Sequence, residues 1–119
     1  MPEISKKSLR SPCPVACTLD LIGDKWTLLV VRDLLLGRSH FKDFEASPEG
    51  IATNILSNRL HRLLDTGLAE KVPSPRQNGH ATYRLTTKGK TLEPVLQAIA
   101  DWGLAQIEGT RIGIEKSNS

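Results

Sequence analysis

Thr53-Asn54-Ile55-Leu56-Ser57-Asn58-Arg59-Leu60-His61-Arg62-Leu63-Leu64-Asp65-Thr66-Gly67-Leu68 carries two patterns at once. Leu56, Leu60, Leu63 and Leu64 stand at i, i+4, i+7 and i+8, an apolar stripe along one side of a helix that Gly67 brings to a stop. Turning by about 100° per residue puts Asn54, Ser57, Asn58, His61, Arg62 and Asp65 on the far side, with Arg59 on the flank and Thr53 at the start. One face of this helix builds a core, and the other offers amides, a hydroxyl, an imidazole and guanidiniums.

Downstream, Leu68 to Val72 and Ala81 to Leu85 alternate apolar and polar residues, and Asn78-Gly79 between them is a strong turn signal. They predict a β-hairpin with a protruding basic tip, because Pro73 and Pro75 discourage regular pairing there. Leu92, Val95, Leu96, Ile99, Trp102 and Leu104 then line a long C-terminal helix that starts around Thr87 to Lys90. Upstream, Ser47-Pro48-Glu49-Gly50 makes a turn, preceded by a short helix from His40 to Glu45 with Ser39 as its N-cap. Before that, Lys25 to Leu36, capped by Asp24, is apolar nearly all round and reads as the buried central helix. Val15, Leu19 and Ile22 mark one face of a first helix that opens at Pro14 and closes at Gly23. Residues 1–12 read as a tail, 13–109 as one domain and 110–119 as a second tail.

Helix, buried helix, short helix, amphipathic helix, hairpin, long helix is the plan of a winged helix-turn-helix, an α+β fold that is mainly α, with an N-terminal helix and a long C-terminal dimerisation helix. Its chemistry follows from groove dimensions: a helix fits the major groove of B-DNA, about 12 Å wide, where Asn pairs with adenine and Arg with guanine. Asn54, Ser57, Asn58, His61 and Arg62, flanked by Thr53 and Arg59, supply such groups. Lys71, Arg76, His80 and Arg84 on the hairpin suit phosphates or the minor groove. Ser39 and the amides of His40 and Phe41 at a helix start suit a backbone phosphate.

Charge supports that partner. The 119 residues carry a net charge of only +3, yet Asn54 to Lys90 holds seven Lys and Arg against two acids. An excess gathered on one segment fits a polyanion better than an evenly solvated surface does. No apolar run approaches the ~20 residues that span a bilayer. The polar start, Met1-Pro2-Glu3-Ile4-Ser5-Lys6-Lys7, lacks a secretory signal's apolar stretch, so the expected location is cytoplasmic. Three scattered histidines, with no paired carboxylates at catalytic spacing, no phosphate-binding glycine loop and no nucleophile elbow, argue against an enzyme. No cofactor or metal is expected, since Cys13, Cys17 and the distant His40, His61 and His80 have no recognised ligand spacing.

The run Cys13-Pro14-Val15 followed by Leu19-Asp20-Leu21-Ile22-Gly23-Asp24-Lys25-Trp26-Thr27-Leu28-Leu29-Val30-Val31-Arg32-Asp33-Leu34 strongly resembles the opening of the HxlR-type transcription regulators, relatives of the MarR winged-helix proteins. Gly50 to Leu60, Gly67-Leu68, Tyr83-Arg84-Leu85-Thr86, Lys88-Gly89 and Trp102-Gly103 match later segments in order and spacing, and the similarity covers about residues 13–108. The resemblance implies a homodimeric, cytoplasmic, prokaryotic repressor or activator with Thr53 to Asp65 as recognition helix and the hairpin as wing. It also implies that the first helix joins the dimer contact. Independently, Leu92, Leu96, Ile99 and Trp102 form an apolar face that so small a domain has little core left to cover. A two-fold dimer calls for a pseudo-palindromic operator in double-stranded DNA.

Cys13 precedes a proline at a helix start, where free amides and the helix dipole favour a thiolate. Family members that sense quinones, aldehydes, hypochlorite or disulfide stress often carry a cysteine at the matching position; Cys17 lies outside the usual pattern. Three readings stay open: an oxidant or electrophile effector at Cys13 and Cys17, a small molecule in the dimer crevice, and two cysteines that merely pack. A winged helix binding a protein is the alternative outside DNA, and it calls for an acidic or apolar outer face where this one is amide-rich and basic.

Overall fold

The computed structural model describes residues 10–73 and 81–112. Its order is α1 (Pro14–Ile22), α2 (Thr27–Leu35), α3 (Phe41–Glu45), α4 (Thr53–Asp65), β1 (Ala69–Pro73), β2 (Ala81–Leu85), α5 (Thr87–Lys90) and α6 (Glu93–Gln106). β1 and β2 pair antiparallel, with Ala69 opposite Leu85 and Pro73 opposite Ala81. A bond from the Tyr83 amide to the Ser39 carbonyl, 2.8 Å long, ties the hairpin to the segment before α3. The architecture is that of a winged helix.

Val30, Val31, Leu34, Phe44, Leu56, Leu60, Leu63, Leu68, Ala69 and Leu85 form one buried cluster. The leucine stripe of α4 is thus the part that anchors it, as periodicity requires. Phe44 meets Tyr83 edge to face, ring centroids 6.3 Å apart, and so seals α3 against the hairpin. α4 ends in a Schellman motif: the Leu68 amide donates to the Leu63 carbonyl at 2.9 Å and the Gly67 amide to that of Leu64 at 3.2 Å. Gly67 sits at φ 75°, the left-handed conformation that this closure needs.

Three expectations are corrected here. The central helix is shorter than Lys25 to Leu36: Asp24 accepts the amides of Trp26 and Thr27 at 3.0 and 3.2 Å, so the regular helix opens only at Thr27. It is also not apolar all round, because Asp33 is buried in it, held by Arg32 and Arg38 and by the hydroxyl of Ser47. The C-terminal helix is two helices. Pro94 has no amide for the Lys90 carbonyl and its ring crowds that turn, so α5 closes with short bonds from Thr91 to Lys88 and from Leu92 to Gly89 before α6 opens with Pro94 in its first turn.

Gly89 sits where a Cβ would lie 1.9 Å from the carbonyl oxygen of Leu68, itself fixed by the Thr86 amide at 3.0 Å. At Gly67 an added Cβ meets nothing within 4 Å, so only the backbone conformation resists it. Gly67→Ala is expected to cost about 1 kcal/mol, and Gly89→Ala about 2–3 kcal/mol through overpacking against an immobile carbonyl. Thermal unfolding of the two variants checks the order; equal losses would remove the steric account of Gly89.

Candidate nucleic-acid interface

α4 spans 13 residues, about 20 Å of helix at 1.5 Å per residue. Leu56, Leu60 and Leu63 are buried, while Thr53, Asn54, Ser57, Asn58, His61 and Asp65 are exposed. The far side inferred from periodicity is therefore open to solvent, and it carries no acid between Thr53 and Leu64. The Thr53 hydroxyl donates to Glu45 at 3.1 Å, joining the start of α4 to the end of α3.

The two guanidiniums of α4 are placed differently from the amides. Arg59 donates through Nε to Asp24 Oδ2 at 2.7 Å and through Nη1 to Asn58 Oδ1. Arg62 donates to the Leu21 carbonyl at 2.9 Å, and its Nη1 stands 3.8 Å from Asp24 Oδ1. Both side chains grip the corner between α1 and α2. A 35-residue separation hides the pairing of Asp24 with Arg59 from any local pattern; the only trace in sequence is two arginines at i and i+3, Arg59 on the flank of the apolar stripe and Arg62 beyond it.

At the start of α3 the expectation of a free helix N-terminus is corrected. The N-cap is His40, and Asp43 Oδ2 accepts the amides of His40 and Ser39 at 3.0 and 3.2 Å. The acceptor for those amides is built in, and its negative charge opposes a phosphate there. The Ser39 hydroxyl lies 3.3 Å from His40 Nδ1. On the hairpin, Lys71 and Arg84 are exposed; Lys71 Nζ stands 5.9 Å from the Tyr83 ring centroid, and Arg84 pairs with Glu70 at 3.0 Å. Arg76 and His80, with the Asn78-Gly79 turn, lie outside the described residues. Lys25, over the Trp26 ring at 5.0 Å, and exposed Lys42 on α3 are cations that the sequence reading did not single out.

Cys13 is the exposed N-cap of α1 and Cys17 is half-buried; neither is in a disulfide. Cys17 Sγ donates to the Ser11 carbonyl at 3.1 Å, and the Cys13 amide donates to the Ser11 hydroxyl at 3.0 Å. Along α6, Leu92 and Leu96 pack against the core, whereas Val95, Ile99, Trp102 and Leu104 face outward, Ile99 at 51% and Trp102 at 64% exposure. Val15 and Leu19 of α1 are exposed as well. Among the described residues no group of His, Cys, Asp or Glu could hold a metal, and no helix is long and apolar enough to cross a membrane.

Comparison with known proteins accords with this geometry. The family model of HxlR-like helix-turn-helix proteins matches residues 21–111. The chain belongs to the HxlR-like helix-turn-helix family. It shares 34% identity over 91 residues with the HTH-type transcriptional regulator YdeP of Bacillus subtilis, covering 76% of this chain and 71% of that one. An HTH-type regulator of Mycobacterium tuberculosis matches at 35% over 89 residues, and there the chain spans only 56% of its relative's length. Among solved structures, PA1607 superposes with a TM-score of 0.78 at 39% identity, over 92% of this chain and 78% of that one. The redox regulator HypR in its reduced form does so at 0.73 and 28%, over 81% and 95%. This HxlR-like chain is a transcriptional regulator of the helix-turn-helix type, and its relatives are regulators and not enzymes.

Three carboxylates titrate below their ordinary range: Asp24 and Asp43 at the site, and Glu49 in the turn after α3, to which Arg32 donates at 2.8 and 2.9 Å. At Asp24, partial burial works to raise the value and is outweighed by hydrogen bonds from the Thr27 hydroxyl, Arg59 and the Trp26 and Thr27 amides. At Asp43 burial is likewise outweighed, by the His40 and Ser39 amides, and at Glu49 the hydrogen bonds from Arg32 dominate. Unfolded Asp and Glu titrate near about 3.9 and 4.3. Each group therefore contributes stability that is complete above those values and is lost as pH falls through the lowered folded-state values. Denaturant unfolding from about pH 5 downward is expected to show stability falling below about pH 4, with a shallower fall in Asp24→Asn. An unchanged slope in that variant would place the acid sensitivity elsewhere.

Proposed function

We propose that this HxlR-like regulator binds double-stranded DNA as a homodimer, with α4 of each protomer in the major groove of a half-site. The observation that carries the reading is the solvent-facing row Asn54, Ser57, Asn58 and His61, held out by the buried leucines on the opposite side of the helix. Amides, hydroxyl and imidazole are groups that hydrogen-bond base edges. Lys71 and Arg84 on the hairpin, with Arg76 beyond β1, supply cations for the sugar–phosphate backbone, and His80 an imidazole that can hydrogen-bond it. Ser39 and His40 are not part of a free anion site in this reading, since Asp43 occupies their amides.

The dimer contact is assigned to the outward residues of α6, Ile99 and Trp102 with Val95 and Leu104, joined by Val15 and Leu19 of α1. Leu92 and Leu96, which pack on the domain's own core, support that helix from behind. An exposed row of this size is what a second copy covers in a two-fold interface. The two operator half-sites then lie one helical turn, about 34–36 Å, or two turns apart. Cys13, exposed at the head of α1, the helix that carries Val15 and Leu19, is the proposed oxidant-responsive group; the likeness to a redox regulator at 28% identity supports it.

Gel shift on duplexes selected from a randomised pool tests the reading. The wild type is expected to bind a pseudo-palindrome tightly and with strong salt dependence, as phosphate neutralisation dictates. Asn58→Ala is expected to lose about 1–3 kcal/mol of discrimination at one base pair, roughly tenfold per 1.4 kcal/mol. No preference among duplexes would overturn it. Trp102→Glu is expected to sediment as a monomer at micromolar concentration and to lose the operator; a wild-type monomer under the same conditions removes the dimer. Diamide is expected to release the wild type reversibly and to spare Cys13→Ser; release of both proteins would dismiss the thiol.

A further inference from the structure

We infer that Asp24 is the positioning residue of the reading helix: acting through Arg59, it fixes how α4 and the Asn58 amide are presented, and Arg59 itself touches no base. The inference rests on the DNA-binding reading and adds a division of labour within α4.

Asp24 is fixed before it meets α4. It accepts the Trp26 and Thr27 amides and the Thr27 hydroxyl, with Thr27 buried, so its carboxylate cannot swing with solvent. Arg59 Nε then lies 2.7 Å from Oδ2, with side-chain exposures of 20% for Arg59 and 25% for Asp24. At that degree of burial an ion pair is only weakly screened, unlike an exposed one. One turn on, Arg62 holds the Leu21 carbonyl of α1 at 2.9 Å. α4 is therefore pinned at two successive turns to the same corner, in addition to its leucines.

Arg59 also passes the constraint outward. Its Nη1 donates to Asn58, and because a guanidinium has only donors, Asn58 must turn its oxygen to Arg59. The amide's NH2 is left toward solvent on the exposed face. A chain of donors and acceptors thus runs from the half-buried turn before α2 to a side chain on the proposed reading surface, with each member's orientation set by the one before it. Arg59 spends its Nε on Asp24 and its Nη1 on Asn58, so a swing of the whole side chain toward a base or phosphate would give up both contacts.

The test uses full-length protein and two probes, the duplex selected by the wild type and a scrambled duplex of equal length, titrated across salt. Arg59→Gln and Asp24→Asn, whose amide still caps α2, are each expected to weaken selected-duplex binding by about tenfold. Neither changes scrambled-duplex affinity or the salt slope, and the double variant is no worse than either single one. Arg59→Lys, which keeps the pair with Asp24, is expected to recover part of the loss. If Arg59→Gln instead weakens both duplexes and lowers the salt slope by about 1, Arg59 is a phosphate contact and the inference is overturned. Additive losses in the double variant, with Arg59→Gln relaxing preference at one base pair, make Arg59 a base reader and overturn it as well. A wild type that prefers no duplex overturns the DNA reading, and this inference falls with it.

Discussion

Leu56, Leu60 and Leu63 are almost wholly removed from water when α4 settles on the cluster built by Val30, Val31, Leu34 and Phe44. Each contributes about 2 kcal/mol by burial alone, and truncating one would cost about 2–5 kcal/mol. No polar contact on the opposite face of α4 approaches that size, since net hydrogen bonds are worth about 1 kcal/mol. The leucines therefore decide which way the helix faces. Asn54, Ser57 and His61 stand clear of the core and can vary without penalty to the fold, while Asn58 answers only to Arg59. That separation, with stability on one side of a helix and exposed polar chemistry on the other, is what this winged-helix plan rests on.

What could be read from the chain is what local period and turn chemistry record. The four-residue recurrence of leucines, the glycine at the end of α4 and the alternation on either side of Asn78-Gly79 each act over a few residues, so the spans of α4 and of the hairpin strands are legible. So is the exposed half of the candidate site. The other half depends on partners far along the chain. Arg59 and Arg62 count as available cations in a helical projection, yet Asp24 and the Leu21 carbonyl claim them. Asp43 looks like an ordinary surface acid until its carboxylate is found on the amides of Ser39 and His40. The buried Asp33, with Arg32, Arg38 and Ser47 around it, was hidden by the apolar run that surrounds it. Pro94 is the instructive miss, because its effect on α5 and α6 is local and follows from the missing amide.

The same partners change the electrostatic picture. Of the seven basic residues that give Asn54 to Lys90 its excess, Arg59, Arg62 and Arg84 have carboxylates or a carbonyl within hydrogen-bonding range. The local net charge is unaltered, but its reach is, because a paired guanidinium offers a polyanion a dipole where a lone one offers a charge. Lys25 and Lys42, outside that segment, widen the cationic surface toward α2 and α3. In the proposed DNA-binding reading, attraction to a duplex comes from a broad, dilute field, with orientation left to the groups along α4.

Gly89 draws four pieces of chain into one joint. Its missing Cβ lets α5 lie directly on the Leu68 carbonyl, while its amide reaches the Thr86 hydroxyl, and that hydroxyl bonds the Gly67 carbonyl at the end of α4. Only the short, part-buried hydroxyl of Thr86 joins main-chain groups there, so the joint has little side chain to yield. Through it α5 is coupled directly to the end of α4, and the helical ladder is interrupted only one step further on, at Thr91 and Leu92, before Pro94. That short interruption sets the angle at which α6 leaves the body, so the direction of its outward face is decided by where a proline falls in the chain.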